Sequence, residues 1–199
     1  MNIYIDIDDT IVNSVENVIR IANKRYNQNV QVSDVDKWDF SYLYPNATRD
    51  EIISIFGEQE FFDTLHFKKN AILTLQKLSK RNFLFVVTKT IDVASGFRKY
   101  QWIQEHLNAM NIPVEYVAIF PRDDKSIVDM SDGIMIDDNA SYLRDTNATY
   151  KILYDNQREI DVNMDWDGLR VYDWQDAFIL LCDIIGKEKG ITNGKIRRF

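Results

Sequence analysis

Three aspartates, Asp6, Asp8 and Asp9, lie within four positions directly behind a short apolar run near the start of the chain. Carboxylates this close at the end of a buried strand raise one another's pKa and weaken the fold unless a cation neutralises them. A site with few oxygen ligands and room for water suits Mg²⁺. The cluster therefore predicts a magnesium site.

Polar residues also follow two later apolar runs, and a lysine lies in the loop between these runs. Thr88 follows FLFVV, Asp137 and Asp138 follow GIMI, and Lys125 lies in the loop RDDKS, twelve residues before Asp137. Ligands of an open parallel sheet bind beyond the carboxyl ends of its strands, so we expect these side chains to meet the first aspartates at one edge. A divalent ion held by carboxylates, with a hydroxyl and a lysine opposite, is suited to handling a phosphoryl group.

The elements that must position these residues alternate between strand and helix patterns, which indicates an α/β domain with a parallel sheet. Apolar runs predict six strands, over residues 2–7, 83–87, 115–120, 133–136, 149–154 and 169–172. Helical spacing begins at Ser14. Thr48 and Glu51 form a capping-box signature, Asn70 is a candidate helix cap, and a last helix is predicted over 174–185.

The distance between the first two strands is anomalous for a simple crossover. About 75 residues separate them, whereas one crossover connection needs roughly a dozen. Because the gap contains helical patterns and no convincing strand, we expect a small helical cap over 15–67 inserted into a core formed by 1–14 and 68–187. Residues 188–199 form a basic, flexible tail in this interpretation.

Composition limits the remaining classes of protein. The chain has 199 residues, 45% of them hydrophobic, which suits one domain with an inserted subdomain. A net charge of −7 disfavours duplex nucleic acid. No apolar stretch approaches the ~20 residues of a membrane-spanning helix, and no signal peptide is recognisable, so we expect a cytoplasmic protein. Cys182, the one cysteine, is predicted to be a buried thiol.

The motifs together resemble those of the haloacid dehalogenase (HAD) superfamily. IDIDDTI resembles its first motif, D-x-D-x-[TV], VVT ending at Thr88 its second, Lys125 its third and IMIDD its fourth, all in the family's order. The resemblance implies a Rossmann-like core with a parallel sheet and an inserted helical cap.

A narrower resemblance covers most of the chain. The segments KWDF, SIFGEQEFF, KYQWIQEHL and RDDKSIV…GIMIDDNASYL are similar to those of the 5′(3′)-deoxyribonucleotidases, which are small Mg²⁺-dependent HAD phosphatases. This resemblance implies that Asp6 attacks phosphorus and forms an aspartyl-phosphate. Asp8 would act as acid and then base, and its backbone carbonyl would bind Mg²⁺. Thr88 and Lys125 would bind the phosphoryl oxygens and neutralise their charge.

The same resemblance assigns the remaining site residues. Of the fourth-motif pair, Asp138 is the expected direct metal ligand and Asp137 orients it, although the order could be reversed. Four cap aromatics match positions that contact the base or sugar: Trp38, Phe40, Phe56 and Phe62. Lys99 and Arg122 match basic positions near the phosphate and nucleoside, and Lys89 follows Thr88 where relatives usually carry a small residue. Core packing for the aromatics and solvent exposure for the three basic residues remain alternatives.

The sequence thus predicts a Mg²⁺-dependent phosphomonoesterase acting on (deoxy)ribonucleoside monophosphates. A HAD phosphatase for another small ester, such as a sugar phosphate, is the alternative within the enzymes. A two-component receiver would need its phosphoacceptor on a middle strand and no cap, and a binding protein that lost catalysis would be expected to lack part of the acid set. A homodimer is compatible with these features but not required, and base preference and 5′ or 3′ regiochemistry stay open.

Overall fold

A computed structural model of the chain describes residues 1–156 and 162–190. Six parallel strands form one sheet in the order β3-β2-β1-β4-β5-β6. The strands are β1 (Asn2–Ile5), β2 (Phe83–Lys89), β3 (Glu115–Ile119), β4 (Gly133–Asp137), β5 (Tyr150–Tyr154) and β6 (Leu169–Val171). The predicted α/β class and all six predicted strands are confirmed.

The described residues also form seven α-helices. They are α1 (Ser14–Tyr26), α2 (Arg49–Ser54), α3 (Gln59–Asp63), α4 (Ala71–Ser79), α5 (Val93–His106), α6 (Ala140–Asp145) and α7 (Trp174–Glu188). The first four lie between β1 and β2, with three short 3-10 turns and no strand, as the long gap predicts. No helix of the described part is both long and apolar enough to cross a membrane.

Strand β1 occupies the middle of the sheet and pairs with β2 on one side and β4 on the other. It ends at Ile5, two residues earlier than predicted. The reason lies in the following turn, where the carbonyl of Ile7 accepts the backbone N–H groups of Thr10, Ile11 and Val12 at 3.2, 2.9 and 3.2 Å. Because this turn folds the chain back at once, the aspartates lie at the carboxyl edge of the sheet.

The helix-start predictions have two outcomes. The capping box of α2 is confirmed, since the Thr48 hydroxyl accepts from the Glu51 N–H at 3.2 Å and the Glu51 carboxylate accepts from the Thr48 N–H at 2.7 Å. The prediction that Asn70 is the cap residue of α4 is confirmed for its position. Asn70 precedes the helix in a left-handed conformation, with φ 64°, and its side chain makes no capping hydrogen bond.

Two predictions about the last helix also need correction. Helix α7 continues to Glu188 instead of ending at 185. The thiol of Cys182 is exposed, not buried. Leu181 belongs to the buried face of the helix, and the next residue is turned about 100° around the axis, away from the core.

The segment between β1 and β2 packs tightly onto the sheet. One apolar cluster contains Ile3 and Ile5 of β1 together with Ile21, Tyr44 and Phe61 of the inserted segment. We propose the division into a core of 1–14 and 68–187 and a cap of 15–67 on this basis and on the absence of strands in the insertion. Of the predicted tail, 188–199, residues 191–199 lie outside the described residues.

Candidate active site

Three buried carboxylates meet at the carboxyl edge of the sheet. Oxygen atoms of Asp6, Asp137 and Asp138 lie within 4.8 Å of one another. Their strands are neighbours, with Ile5 in register with Ile136, and the Asp6 N–H donates to the Ile136 carbonyl at 2.9 Å. The sheet thus brings the first and fourth motifs together, and this oxygen set fits a hard divalent cation.

Lys125 lies beneath these acids and is completely buried. Its ammonium donates to the carboxylates of Asp6 at 2.6 Å and Asp137 at 2.5 Å. A 3-10 turn, Lys125–Ile127, presents this lysine, and the Asp124 side chain caps the turn by accepting from the Ser126 N–H. A lysine cation therefore neutralises part of the acid cluster in the protein itself.

Burial and pairing act in opposite directions on these groups. Burial raises the pKa of the Asp6 carboxyl to about 7, although the neighbouring Lys125 cation lowers it. Burial likewise raises the pKa of Asp137. Burial alone would lower the pKa of Lys125, but the two carboxylates hold it above its usual range. Lys125 thus does not fully offset the effect of burial on the two carboxyls.

The other first-motif aspartate is held separately. The Asp8 carboxylate accepts from the Ser14 hydroxyl at 2.6 Å and forms an ion pair with Lys99. Lys99 also donates to the Thr88 hydroxyl at 3.1 Å and to the carbonyl of Lys89 at 2.8 Å. Lys99 is 4% exposed, so the surface alternative for this residue is wrong. It connects the first and second motifs.

Asp9 has a different environment from its two neighbours. It lies in the left-handed region, with φ 50°, and its carboxylate accepts from the N–H of Val15 at 3.1 Å. This contact ties the turn after β1 to the first residues of α1. Asp9 therefore has a positioning role in the turn.

A cavity of about 350 Å³ opens above the acids. Asp6, Asp8 and Asp138 line one wall. The cap supplies the opposite wall, with the predicted aromatics Trp38, Phe40 and Phe56 and the aliphatic residues Ile52 and Ile53. The site therefore combines an acidic wall with a cap wall that is mainly aromatic and aliphatic but also carries Asp39 and Arg49. With a cation bound among the acids, such a site suits a ligand with an anionic end and a flat apolar end.

Two predicted substrate residues lie away from this cavity. Phe62 is buried, packs edge-on against Phe61 with ring centroids 5.2 Å apart, and borders a separate groove beside Trp102. Arg122 is exposed in the loop after β3 and lines none of the described cavities. Phe62 thus follows the core-packing alternative, and Arg122 follows the solvent-exposure alternative.

Lys89 lines the cavity, in contrast to the solvent-facing alternative. Its ammonium lies 5.2 Å from the ring centroid of Tyr142, and that of Lys125 lies 5.4 Å from the same ring. Such distances are typical of cation–π contacts. Tyr142 therefore helps to position two site lysines.

Sequence reasoning missed Tyr142 and Arg49, which both line the cavity. The first lies on α6, which starts directly after the fourth motif because the Asn139 side chain accepts from the Ser141 N–H at 2.9 Å. Tyr142 could have been predicted to lie near the site because it follows Asp138 by four residues, about one helical turn. Arg49 is the first residue of α2, so the capping box of that helix was the signal for its position.

The raised pKa of Asp6 predicts a pH-dependent stability effect in the metal-free protein. A carboxyl with a higher pKa in the folded state than in the unfolded state favours folding at low pH, and this contribution is lost as pH rises from about 4 to about 7. We therefore expect Asp6→Asn to become progressively more stable than the wild type over that range. Urea unfolding in EDTA measures the difference.

The exposed Asp145 provides a matched control, because Asp145→Asn makes the same chemical change outside the buried cluster. A difference between Asp6→Asn and the wild type that does not vary with pH would contradict the prediction.

Solved structures identify the class of fold. A haloacid dehalogenase-like hydrolase from Xanthomonas campestris matches 96% of this chain and 98% of its own, with a TM-score of 0.56 and 12% identity. A hydrolase of the haloacid dehalogenase-like family from Streptococcus pneumoniae matches 90% of this chain and 97% of its own, with a TM-score of 0.60 and 13% identity. The protein therefore has the HAD-like fold.

The comparison with protein families assigns the chain more narrowly than its fold does. Residues 1–188 match the family described as 5′ nucleotidase, deoxy (pyrimidine), cytosolic type C protein (NT5C), and the chain belongs to this family. A protein of Staphylococcus epidermidis with the name "Putative 5′(3′)-deoxyribonucleotidase" is 24% identical over 105 residues. That match spans 52% of this chain and 58% of the Staphylococcus protein.

Proposed function

We propose that this protein is a Mg²⁺-dependent phosphomonoesterase that hydrolyses (deoxy)ribonucleoside monophosphates. The observation that carries the proposal is the buried cluster of Asp6, Asp137 and Asp138 beneath a cavity with an aromatic cap wall. Membership of the NT5C family supports a nucleotide as the substrate. The family description also supports a cytosolic location, which forms part of the proposal.

The first chemical step uses Asp6 as the nucleophile. Its carboxylate attacks phosphorus, the bond from phosphorus to the ribose oxygen breaks, and an aspartyl-phosphate forms. Asp8 gives a proton to the departing ribose oxygen. The Ser14 hydroxyl and the Lys99 ammonium hold the Asp8 carboxylate in place for this transfer.

The second step restores the enzyme. Asp8 takes a proton from a water molecule, whose oxygen attacks the phosphorus of the aspartyl-phosphate and releases inorganic phosphate and free Asp6. Lys125 neutralises charge near the nucleophile through its 2.6 Å contact with Asp6. Thr88 is completely buried, and its hydroxyl is hydrogen-bonded to Lys99 in this structure. We therefore propose that this hydroxyl binds the phosphoryl group from its buried side.

The acid set fits a bound Mg²⁺. The Asp6 and Asp138 carboxylates and the Asp8 backbone carbonyl would hold the ion. Both oxygens of Asp137 are engaged, by Lys125 at 2.5 Å and by the Asn139 N–H at 2.9 Å, which favours an orienting role for this residue. When bound, the ion would neutralise the phosphoryl oxygens. The protein YfnB from Bacillus subtilis, which shares the fold with a TM-score of 0.57, was solved with magnesium.

Phosphate release from a panel of esters tests the function. Deoxy- and ribonucleoside monophosphates and several sugar phosphates are compared in Mg²⁺, with EDTA as a control. Turnover of nucleotides well above sugar phosphates, abolished by EDTA, is the expected result. Preference for sugar phosphates would mean that the substrates are sugar phosphates and not nucleotides. Nucleotide binding without turnover in Mg²⁺ would favour a binding protein.

Mg²⁺ is expected to stabilise the wild-type protein against heat, since a ligand that binds only the folded state raises Tm. Asp138→Asn removes a proposed metal ligand, so the Tm increase should be much smaller in this variant. Differential scanning fluorimetry with and without Mg²⁺ measures both. Asp145→Asn should retain the full increase, and an equal increase in Asp138→Asn would contradict the assignment of this ligand.

A further inference from the structure

The cavity above the acids continues into a second cavity of about 340 Å³. The two cavities share a boundary formed by Asp8, Arg49, Ile53, Phe56, Lys89 and Tyr142. Because Asp8 is the proposed acid and base, the reacting ester would lie at this boundary. A ligand bound there has room to extend in two directions.

The second cavity has an excess of positive charge. Its charged lining residues are Asp8, Arg49, Lys89 and Lys99. Asp8 and Lys99 neutralise each other as an ion pair. Arg49 and Lys89 then remain, one contributed by the cap and the other by the core, so an anion between them would contact both parts of the protein.

Neither cation is fully neutralised in the described part of the chain. Lys89 has no ion pair among these residues, and its ammonium lies over the Tyr142 ring. Arg49 forms an ion pair with Asp39 through Nε at 2.8 Å, which orients the guanidinium, but both side chains are exposed and Asp39 lies outside the second cavity, so the pair offsets the arginine charge only weakly. One terminal nitrogen lies 4.0 Å from the exposed Asp50, a weak pair. The terminal nitrogens of such an oriented arginine are suited to a phosphate group.

The two cavities also differ in character. Cap aromatics line the first cavity, beside the metal-ligating acids, whereas Phe56 is the one aromatic cap residue on the second. We propose that the second cavity binds a second phosphate group on the substrate, so that the preferred substrate is a nucleoside 3′,5′-bisphosphate. This inference rests on the proposed function. The bond broken is the same phosphomonoester bond, and the second phosphate remains attached to the product.

Steady-state kinetics with a matched pair of substrates test the inference. A deoxynucleoside 5′-monophosphate and the corresponding 3′,5′-bisphosphate are compared in Mg²⁺, and kcat/KM should be about tenfold higher for the bisphosphate. Arg49→Gln and Lys89→Gln should each lower this ratio severalfold, because each removes a charge-assisted contact. Arg81→Gln and Lys80→Gln, at exposed positions after α4, should leave the ratio unchanged.

The outcomes separate the two proposals. A bisphosphate that reacts no faster than the monophosphate, or a ratio unaffected in both cavity variants, would overturn the second-phosphate site while the nucleotidase function stands. Failure to hydrolyse either nucleotide would overturn both proposals. A hexose bisphosphate serves as a third substrate, and its hydrolysis faster than both nucleotides would overturn the nucleoside part of the inference.

Discussion

Asp6→Asn is expected to lower the rate of phosphate release from nucleoside monophosphates by about 10⁴-fold or more. The amide is not a nucleophile toward phosphorus, and it also removes one proposed oxygen ligand of the metal. The fold should be retained, because Lys125 keeps its 2.5 Å contact with Asp137. Single-substrate kinetics in saturating Mg²⁺, with circular dichroism to establish folding, measure the effect.

Asp145→Asn is the matched control for this substitution, since it makes the same chemical change on an exposed helix end, and its activity should equal that of the wild type. Acid quenching of the wild-type reaction with a ³²P-labelled substrate should trap labelled protein, and Asp6→Asn should trap none. An Asp6→Asn protein with more than a few per cent of wild-type activity would rule out Asp6 as the nucleophile.

Lys125→Met is expected to lower the free energy of unfolding of the metal-free protein by about 3–5 kcal/mol. The substitution removes a completely buried cation and leaves Asp6 and Asp137 close together without a counter-charge. Loss of activity should accompany the loss of stability. Urea unfolding at neutral pH in EDTA measures the change, and Lys80→Met at an exposed position should have little effect.

A double-mutant cycle separates electrostatic destabilisation from lost packing. Lys125→Met combined with Asp6→Asn should be less destabilised than Lys125→Met alone, because only one buried carboxylate then lacks its partner. If the double variant is as unstable as the single variant, the lysine stabilises the fold through its aliphatic stem and not through its charge.

The positions of the acids were predictable because they depend on local pattern and one topological rule. Apolar runs that end within one residue of Asp6, Thr88 and Asp137 predict strand ends, and parallel strands place those ends at a common edge. Lys125 was predictable from its place before the fourth strand. Its ion pairs with Asp6 and Asp137 were not predictable, because they depend on the 3-10 turn that directs the lysine side chain inward.

The positions of the cap and helix residues were less predictable. Helical periodicity identifies which residues share a face, but not what the face packs against. Phe40, Phe56 and Phe62 are alike in the sequence, yet the first two line the cavity and the third packs against Phe61. The prediction that the Cys182 thiol is buried was wrong for the same reason. Cys182 is one residue after the buried Leu181, and this single step around α7 places it on the exposed face.

The sequence by itself determined the alternating elements, the long insertion without strands between the first two strands and the order of the four motifs, because each depends on residues close together in the chain. The tertiary structure alone decided which lysine and arginine side chains reach the site. Lys99 reaches Asp8 because α5 packs against the sheet, and Arg49 and Lys89 line one cavity because the cap folds over the carboxyl edge. These contacts join residues that are distant in the chain, so their distances depend on packing that no local pattern specifies.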